Sequence, residues 1–362
     1  MRIQRGGIIC ICICICICIC ICLVAAVAYY SNMHKAPTGV LHVVTNLNAP
    51  ILFDVDAVVT YVDSSDPEWQ ERKRAAMGAV AAHDVSTLDV RSERYNGTSS
   101  EVCTCLTLML RNMPWLRRVH VVAMRPQVPA CLRPGGSLHG HLATGRIAMV
   151  YHDQIFAADH PKHTFDSCAI ESRPHYIPGL AETFLYSNDD MYVLKPLPPS
   201  LFFTPEGLPI ADDNGIWLHK NAAVPLVAPF LGKHTKSYHH ALYNVMQGAA
   251  PAIFMREHHV FPVTKSSMAR AQEAYPEEWD KTSRNLFRSS EVMPVLAVAQ
   301  THALLTRGAV LGHYPLSKEA VHDGLPRKVR DNIHKQKYDM LCLNNLSLEE
   351  QETVLPALLM HP

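Results

Sequence analysis

The sequence has no excess of charge of either sign. Lys and Arg together number 33 in 362 residues, and so do Asp and Glu. A chain without a global basic field is not expected to bind nucleic acid. The sequence shows no internal repeat either. Once the N-terminal segment is set aside, its length allows one large domain or two small ones, with a sizeable core.

The spacing of the cysteines also gives no sign of pairing. Seven of the 12 cysteines lie between residues 10 and 22, and the other five are Cys103, Cys105, Cys131, Cys168 and Cys342. Cys103 and Cys105 are too close together for an ordinary pair, and their spacing fits no zinc ribbon. Because five is an odd number, the sequence predicts no disulfide framework.

Residues 8–30 contain no charged side chain, and these 23 residues are long enough to cross a bilayer as a helix. Arg2 and Arg5 favour a cytoplasmic N-terminus. A cleavable signal peptide is the alternative, although the stretch is long for one. We therefore predict a single-pass membrane protein with a cytoplasmic tail (1–7), an anchor (8–30), a stem (31–50), a body (51–345) and a C-terminal tail (346–362). The body would be lumenal, in the Golgi or another secretory membrane, or extracytoplasmic; Asn96 and Asn345 stand in glycosylation patterns.

Strand and helix patterns alternate along the body. Apolar, largely β-branched runs predict strands, and cap residues followed by apolar periodicity predict helices. The predicted strands are 56–62, 119–123, 146–151 and one that ends at Asp190; the predicted helices are 67–82 after Asp66, 101–112 after Ser99 or Ser100, one from Pro276, and one capped by Ser290. This alternation predicts a three-layer α/β body with a largely parallel sheet. Between 196 and 262 the pattern weakens, which is typical of a lid or an insertion.

Two adjacent carboxylates, Asp189 and Asp190, follow the apolar run Phe184-Leu185-Tyr186. Acids at the end of a buried strand are costly unless something binds them, and a divalent metal that carries a phosphorylated substrate is the usual compensation. Because side chains alternate along a strand, we expect the strand to end here, with one carboxylate on the metal and the other in a supporting role. An ordinary turn that contains Asn-Asp-Asp is the alternative.

Four segments of the body carry a shared signature. They read DAVVTYVDSSDP at 56–67, EVCTCLTLMLRNMPW at 101–115 with a continuation to Asn188-Asp189-Asp190, His258 followed by PEEWDKTS at 276–283, and LCLNN at 341–345. In this order they resemble the Stealth family of sugar-phosphotransferases, which act in bacterial capsule synthesis and lysosomal targeting. The resemblance covers most of residues 54–345.

The resemblance implies a nucleotide-sugar-transferase-like (Rossmann-like) core and a transferase reaction. A nucleoside-diphosphate sugar, in the first instance a UDP-N-acetylhexosamine, would be cleaved between its phosphates. The sugar 1-phosphate would pass to a hydroxyl of a glycan or glycoprotein acceptor, and a nucleoside monophosphate would leave. A divalent metal, Mg²⁺ or Mn²⁺, would assist. The oligomeric state, with a homodimer among the options, stays open.

The resemblance to the Stealth family also implies which residues form the site. The catalytic positions are His258 as base, Asp190 on the metal with Asp189, Arg288 on the diphosphate, and Glu171 orienting the sugar or the base. The substrate-binding positions are Tyr61, Asp63, Asp66, Arg94, His152 and Ser167.

Two departures from the family pattern leave alternatives open. Asn345 stands where the family has an acid, and Tyr61 and Asp63-Ser64 replace Trp and Asn-Gly. A missing acid would weaken metal binding or silence the enzyme. The alternatives are therefore a conventional glycosyltransferase that releases a nucleoside diphosphate, and a catalytically silent sugar-nucleotide-binding homologue.

Overall fold

A computed structural model describes residues 35–80, 98–161, 163–220, 233–289, 292–322 and 324–360. Its strands are β1 (His42–Val43), β2 (Val55–Thr60), β3 (Val119–Ala123), β4 (Ile147–Tyr151), β5 (Thr183–Asn188), β6 (Met191–Val193), β7 (Ile210–Asp212), β8 (Ile216–His219), β9 (Ala252–Met255), β10 (Phe261–Thr264), β11 (Val310–Gly312), β12 (Lys318–His322) and β13 (Met340–Asn344). Its helices are α1 (Pro67–Val80), α2 (Ser99–Asn112), α3 (His139–Ala143), α4 (His152–Ile155), α5 (Ser167–Glu171), α6 (Lys233–His240), α7 (Lys265–Ala274), α8 (Pro276–Ser283), α9 (Val295–Leu305), α10 (Arg327–His334) and α11 (Leu348–Leu359).

The central sheet has the strand order β10-β5-β2-β3-β4. Strands β5, β2, β3 and β4 are parallel, and β10 runs antiparallel to β5. Alternate residues of β2 pack on opposite faces: Ala57 and Val59 join one core cluster with α2, and Val58 joins another with α7 and α9. Because both faces are covered, these strands read as nearly continuous apolar runs. The predicted α/β class and largely parallel sheet are confirmed.

Local sequence signals explain the first two helices. Asp66 caps α1 as predicted, since its Oδ1 accepts a hydrogen bond from the Trp69 amide at 2.8 Å. Helix α2 is capped by Thr98, one residue before the predicted caps. The Thr98 hydroxyl accepts from the Glu101 amide, and the Glu101 carboxylate accepts from the Thr98 amide at 2.9 Å. This reciprocal capping box decides where the helix begins.

The prediction that the chain forms no disulfide is wrong. Cys103, on α2, is bonded to Cys131, in a 3₁₀ turn at Ala130–Leu132. Spacing along the chain could not reveal this pair, because the turn is brought beside α2 by the strand between them. Cys105, Cys168 and Cys342 are free thiols.

The remaining strands form smaller sheets around the central one. Strand β7 lies in the sheet β1-β11-β7, β8 pairs with β9, and β13 joins β12 to β6. The weakly patterned stretch from 196 to 262 therefore contains regular structure, and His42 and Val43 of the predicted stem pair with Leu311 and Gly312 of the body.

Helix α9 begins at Val295, directly after Pro294, and not at the predicted cap, Ser290, which lies outside the described residues. A proline disfavours helical geometry in the residue before it, so the helix starts later than its cap-like sequence indicates. The predicted C-terminal tail contains helix α11, and its Gln351 accepts a hydrogen bond from the Thr98 hydroxyl at 2.7 Å.

Within the described ranges, no helix has the length and apolar character needed to cross a membrane. The predicted anchor (8–30), Arg94 and Asn96 all lie outside those ranges, so the structure does not bear on them.

Candidate active site

A cavity of about 800 Å³ lies at the carboxyl edge of the parallel strands. Residues at or just after the ends of four strands line it: Thr60–Val62 after β2, Met124 after β3, His152 after β4, and Asn188–Asp190 after β5. This edge is where open α/β sheets bind their ligands, because the loops there are free to diverge.

The rest of the lining comes from segments that the parallel sheet does not supply. Strand β10 is antiparallel to β5, so residues 256–259, which precede it, reach the edge where β5 ends. Strand β12 adds residues 318–320 and His322, and the end of β13 adds Asn344 and Asn345. The cavity therefore brings together residues that are far apart in the sequence.

Three carboxylates line the cavity. Strand β5 ends at Asn188, two residues before the predicted end at Asp190, and Asp189 and Asp190 form the turn before β6. Burial, with repulsion from Asp190, raises the pKa of Asp189 to about 8, and burial raises the pKa of Asp190 to about 6. Burial and the charge of Asp189 also raise the pKa of Glu101 to about 9. Burial and mutual repulsion therefore disfavour the ionised forms of these three carboxyl groups.

These acids fit a divalent cation. The Oδ1 atom of Asp190 is buried and has no hydrogen-bond partner among the described residues, and the Oδ2 atom of Asp189 accepts only a long bond, 3.5 Å, from the Val62 amide. Carboxylate oxygens are the ligands that Mg²⁺ and Mn²⁺ prefer, and a cation would relieve the repulsion.

A second acidic group needs no ion to explain it. Asp212, Asp213 and His313 have donor atoms within 4.8 Å of one another. Asp212 is ion-paired with Lys318, and His313 lies 3.1 Å from Asp213. Exposed acids that pair locally are common in proteins without a metal.

Arginine and imidazole groups line the same cavity. Arg288 donates a hydrogen bond to the Ser167 hydroxyl, and its Nε lies 3.9 Å from Oδ1 of the buried Asp166. Asp166 also caps α5 through the Cys168 amide, so one carboxylate positions both the helix and the guanidinium. His258 lies with its ring edge-on to His322, with 5.0 Å between the ring centres.

A smaller chamber of about 110 Å³ adjoins the main cavity. Glu171 lines it, together with Arg256, His258 and Arg288. Burial raises the pKa of Glu171, and the positive charges of Arg256 and Arg288 oppose that rise. A hydrogen bond with Tyr186 opposes it further. The chamber thus combines one carboxylate with two guanidinium groups.

His152 lines the main cavity as a neutral imidazole. Its residue surface is 3% exposed, and burial lowers its pKa to about 4. Neither ring nitrogen has a hydrogen-bond partner among the described residues. A neutral imidazole offers one donor and one acceptor, so His152 is able to hold a polar group of a bound ligand.

The structure brings together most of the residues that the sequence singled out. The main cavity is lined by Asp189, Asp190, His258, Arg288, Tyr61, His152 and Ser167, and the small chamber by Glu171. Asp63 and Asp66 do not line either space. Asp63 accepts hydrogen bonds from Ser65, and Asp66 caps α1, so both shape the loop after β2.

Glu101 and Arg256 are among the lining residues that the sequence analysis missed. Glu101 has the sequence signal of a helix cap, which explains it without a site, and Arg256 stands in a segment with little pattern. Asn345 lies at the cavity in the left-handed backbone region, with φ of 59°. Asn and Asp tolerate that conformation, so the residue that replaces the family acid occupies a position where the acid would also fit.

Known proteins share this pattern. The chain matches the family models described as Stealth protein CR2, conserved region 2, over residues 94–211, and Stealth protein CR3, conserved region 3, over residues 257–297. The exopolysaccharide phosphotransferase SCO6021 of Streptomyces coelicolor is 32% identical over 312 residues, which are 84% of this chain and 53% of that protein. CpsY of Mycobacterium tuberculosis, also named an exopolysaccharide phosphotransferase, is 28% identical over 309 residues, 83% of this chain and 54% of CpsY.

The capsular polysaccharide phosphotransferase LcbA of Aeromonas hydrophila is 33% identical over 156 residues, 43% of this chain and 40% of LcbA. The chain thus spans about half the length, or less, of these relatives.

Solved structures resemble the chain weakly. The galactosyltransferase LgtC aligns with a TM-score of 0.31 and 12% identity, over 72% of this chain and 90% of its own. Mouse xyloside xylosyltransferase 1 aligns with a TM-score of 0.35 and 11% identity, over 82% of this chain and 98% of its own. Such scores are too low to support a functional comparison. The two conserved regions in family order, with similarity to a phosphotransferase over 84% of the chain, establish that this chain belongs to the Stealth family.

Proposed function

We propose that the protein transfers a sugar 1-phosphate from a nucleoside-diphosphate sugar to a hydroxyl of a glycan acceptor. The observation that carries the proposal is one cavity lined by both acidic and basic groups. Asp189 and Asp190 line it together with His258 and Arg288. Phosphoryl transfer needs this combination, because it requires neutralised phosphate charge and a base for the attacking hydroxyl. The relatives' names, exopolysaccharide and capsular polysaccharide phosphotransferase, support the same reaction class.

The reaction follows from these residues. The acceptor oxygen attacks the phosphorus that bears the sugar, and a new oxygen–phosphorus bond forms. The bond from that phosphorus to the bridging oxygen breaks, and its electron pair leaves with the nucleoside monophosphate. His258 takes the proton of the acceptor hydroxyl, and Arg288 holds phosphate oxygens through its planar fork. Glu171 orients the sugar or His258.

Asp190, with Asp189, would hold a divalent cation, Mg²⁺ or Mn²⁺. The cation supplies positive charge to the diphosphate oxygens. Glu101 lies in range of both aspartates, because each of their charges raises its pKa. It therefore adds negative charge to the same place.

We propose an oxidising compartment for the body. The Cys103–Cys131 disulfide supports it, because such bonds persist in secreted and extracytoplasmic proteins and are rare in the cytosol. The predicted anchor at residues 8–30, with a cytoplasmic N-terminus, would likewise place the body on the non-cytoplasmic side of the membrane. Asn345 is a poor candidate for glycosylation, since it lines the cavity and a glycan there would fill the site.

Identification of the cleaved nucleotide tests the proposal. The purified protein is incubated with UDP-N-acetylglucosamine, Mg²⁺ and a glycan acceptor, and the nucleotide products are separated. Release of UMP is expected. Release of UDP would instead identify a conventional glycosyltransferase, and donor binding without any release would identify a silent homologue.

A further inference from the structure

Arg256 is a charged residue of the site that neither the sequence signature nor the family regions single out. It lies between β9 and His258 and lines both the main cavity and the small chamber. It falls outside the conserved region that begins at residue 257. The question is which group of a bound ligand the guanidinium of Arg256 contacts.

The guanidinium group of Arg256 is held in place on an aromatic ring. Its central carbon lies 3.8 Å from the centre of the Phe261 ring, and Phe261 is buried. Stacking of this kind fixes the plane of the guanidinium and leaves its N–H groups available at the edge. The Nε atom is buried without a hydrogen-bond partner among the described residues. A buried donor of this kind costs free energy until a ligand satisfies it.

The charge of Arg256 acts in the small chamber. Of the neighbouring charges that affect the pKa of Glu171, Arg256 has the largest effect, ahead of Arg288. Arg256 and Arg288 bring N–H donors to the chamber, and the carboxylates near them are Glu171, in the lining, and Asp166, whose Oδ1 lies 3.9 Å from Nε of Arg288. The lining also includes the hydroxyl groups of Ser167 and Tyr238, which are able to donate hydrogen bonds to phosphate oxygens. Because forked guanidinium donors match the oxygens of a phosphate group, the chamber suits a phosphate better than a neutral sugar ring.

The position of His258 indicates which of the donor's two phosphates lies in the small chamber. A base that activates the acceptor must lie beside the phosphorus that is attacked, and His258 lines the same chamber as Arg256. The chain is irregular here and bends at His258 and His259, and both Arg256 and His258 line the main cavity as well as the small chamber. The leaving phosphate, which belongs to the nucleotide, must lie on the far side of the attacked phosphorus.

We infer that Arg256 binds the phosphoryl group that stays with the sugar, so that Arg256 and Arg288 hold this group from two sides in the small chamber. The inference rests on the proposed function and adds a residue and a subsite to it. Arg256 distinguishes the two halves of the donor, because it contacts the sugar phosphate and not the nucleotide.

Binding of the two halves of the donor, each as a separate molecule, tests this assignment without turnover. We would measure the affinity of the protein for N-acetylglucosamine 1-phosphate and for UMP, each with Mg²⁺, by titration calorimetry. In R256Q the affinity for the sugar phosphate should fall about 10- to 100-fold, as expected for the loss of a charged hydrogen-bonding partner. The affinity for UMP should stay within about twofold of the wild-type value, since additive effects are expected at a separate subsite. R256K should lie between the two, because an ammonium keeps the charge and loses the fork.

Arg125 provides the matched control. Its guanidinium also stacks on a ring, 3.9 Å from the centre of Tyr151, but it does not line the cavity. R125Q should bind both ligands as the wild type does. Because R256Q also removes the packing on Phe261, thermal unfolding of each variant accompanies the titrations, and R256K decides the matter if R256Q does not fold.

Two results would overturn the inference and leave the proposed function standing. One is unchanged affinity for the sugar phosphate in R256Q and R256K. The other is an equal loss of affinity for UMP, which would place Arg256 on the leaving phosphate. If the wild-type protein releases no UMP from the donor and binds neither N-acetylglucosamine 1-phosphate nor UMP, the proposed function fails, and the inference fails with it.

Discussion

Replacement of Asp189 by Asn should stabilise the metal-free protein and remove much of its response to Mg²⁺. Burial, with the charge of Asp190, raises the pKa of Asp189 from 3.8 to about 8. In that pH window the folded protein keeps a proton that the unfolded chain has released. The free energy of unfolding of the wild type should therefore fall as the pH rises from 3.8 to about 8.

The size of this effect follows from the shift. Each pKa unit corresponds to about 1.4 kcal/mol, so a shift of this size sets an upper limit of about 6 kcal/mol. Solvent reaches part of the group and its titration is coupled to that of Asp190, so we expect about 2 kcal/mol in practice. Mg²⁺ should restore stability to the wild type at the upper end of the window, by about 2.7 kcal/mol at one hundred times its dissociation constant.

Urea denaturation at a series of pH values, with and without Mg²⁺, provides the measurement. Asp189→Asn should give a flatter pH profile and a smaller gain from Mg²⁺ than the wild type. Asp331→Asn is the control, because Asp331 is exposed on α10 and does not line the cavity. A profile for Asp189→Asn as steep as that of the wild type, or an equal gain from Mg²⁺, would refute the reasoning.

Three further changes test other parts of the molecule. His258→Ala should abolish transfer to an acceptor while calorimetry still shows donor binding, and a collapse of donor affinity would refute its role as base. Asp56→Asn should lower the free energy of unfolding by about 3–5 kcal/mol in urea, since it leaves Arg117 and His120 without their buried partner. Burial alone would raise the pKa of Asp56, but hydrogen bonds from Arg117 and His120 hold that pKa well below 3.8. The stability that Asp56 contributes to the wild type should therefore be lost as the pH falls below 3.8. An Asp56→Asn variant as stable as the wild type at neutral pH would contradict this role of Asp56. Asn345→Asp should tighten Mg²⁺ binding about tenfold in a calorimetric titration, as expected for one added carboxylate ligand, and unchanged affinity would place residue 345 outside the metal's reach.

The sheet was readable from the sequence because each of its parallel strands is buried on both faces. Strands at 119–123 and 147–151 are nearly continuous apolar runs, so composition alone marks them. The end of β5 at Asn188 was readable for a second reason, since two carboxylates cannot continue a buried strand. These features depend on neighbours along the chain.

Features that depend on contacts across the fold could not be read in this way. The pairing of Cys103 with Cys131 requires the turn after β3 to return to α2. Glu101 fits its capping box completely, so nothing in its local sequence shows that it also faces Asp189. Arg256 lies in an irregular segment with little sequence pattern, and its place two residues before His258 has meaning only once His258 is assigned to a site.

The fate of one phosphorus atom tests the central claim most directly. The donor is UDP-N-acetylglucosamine labelled with ³²P in the phosphate that bears the sugar, and it is incubated with the protein, Mg²⁺ and a glycan acceptor. Transfer through Asp190, His258 and Arg288 predicts that the label appears in the glycan together with the sugar, and that the released UMP is unlabelled. Label recovered in UDP, with sugar but no phosphorus in the glycan, would contradict the account.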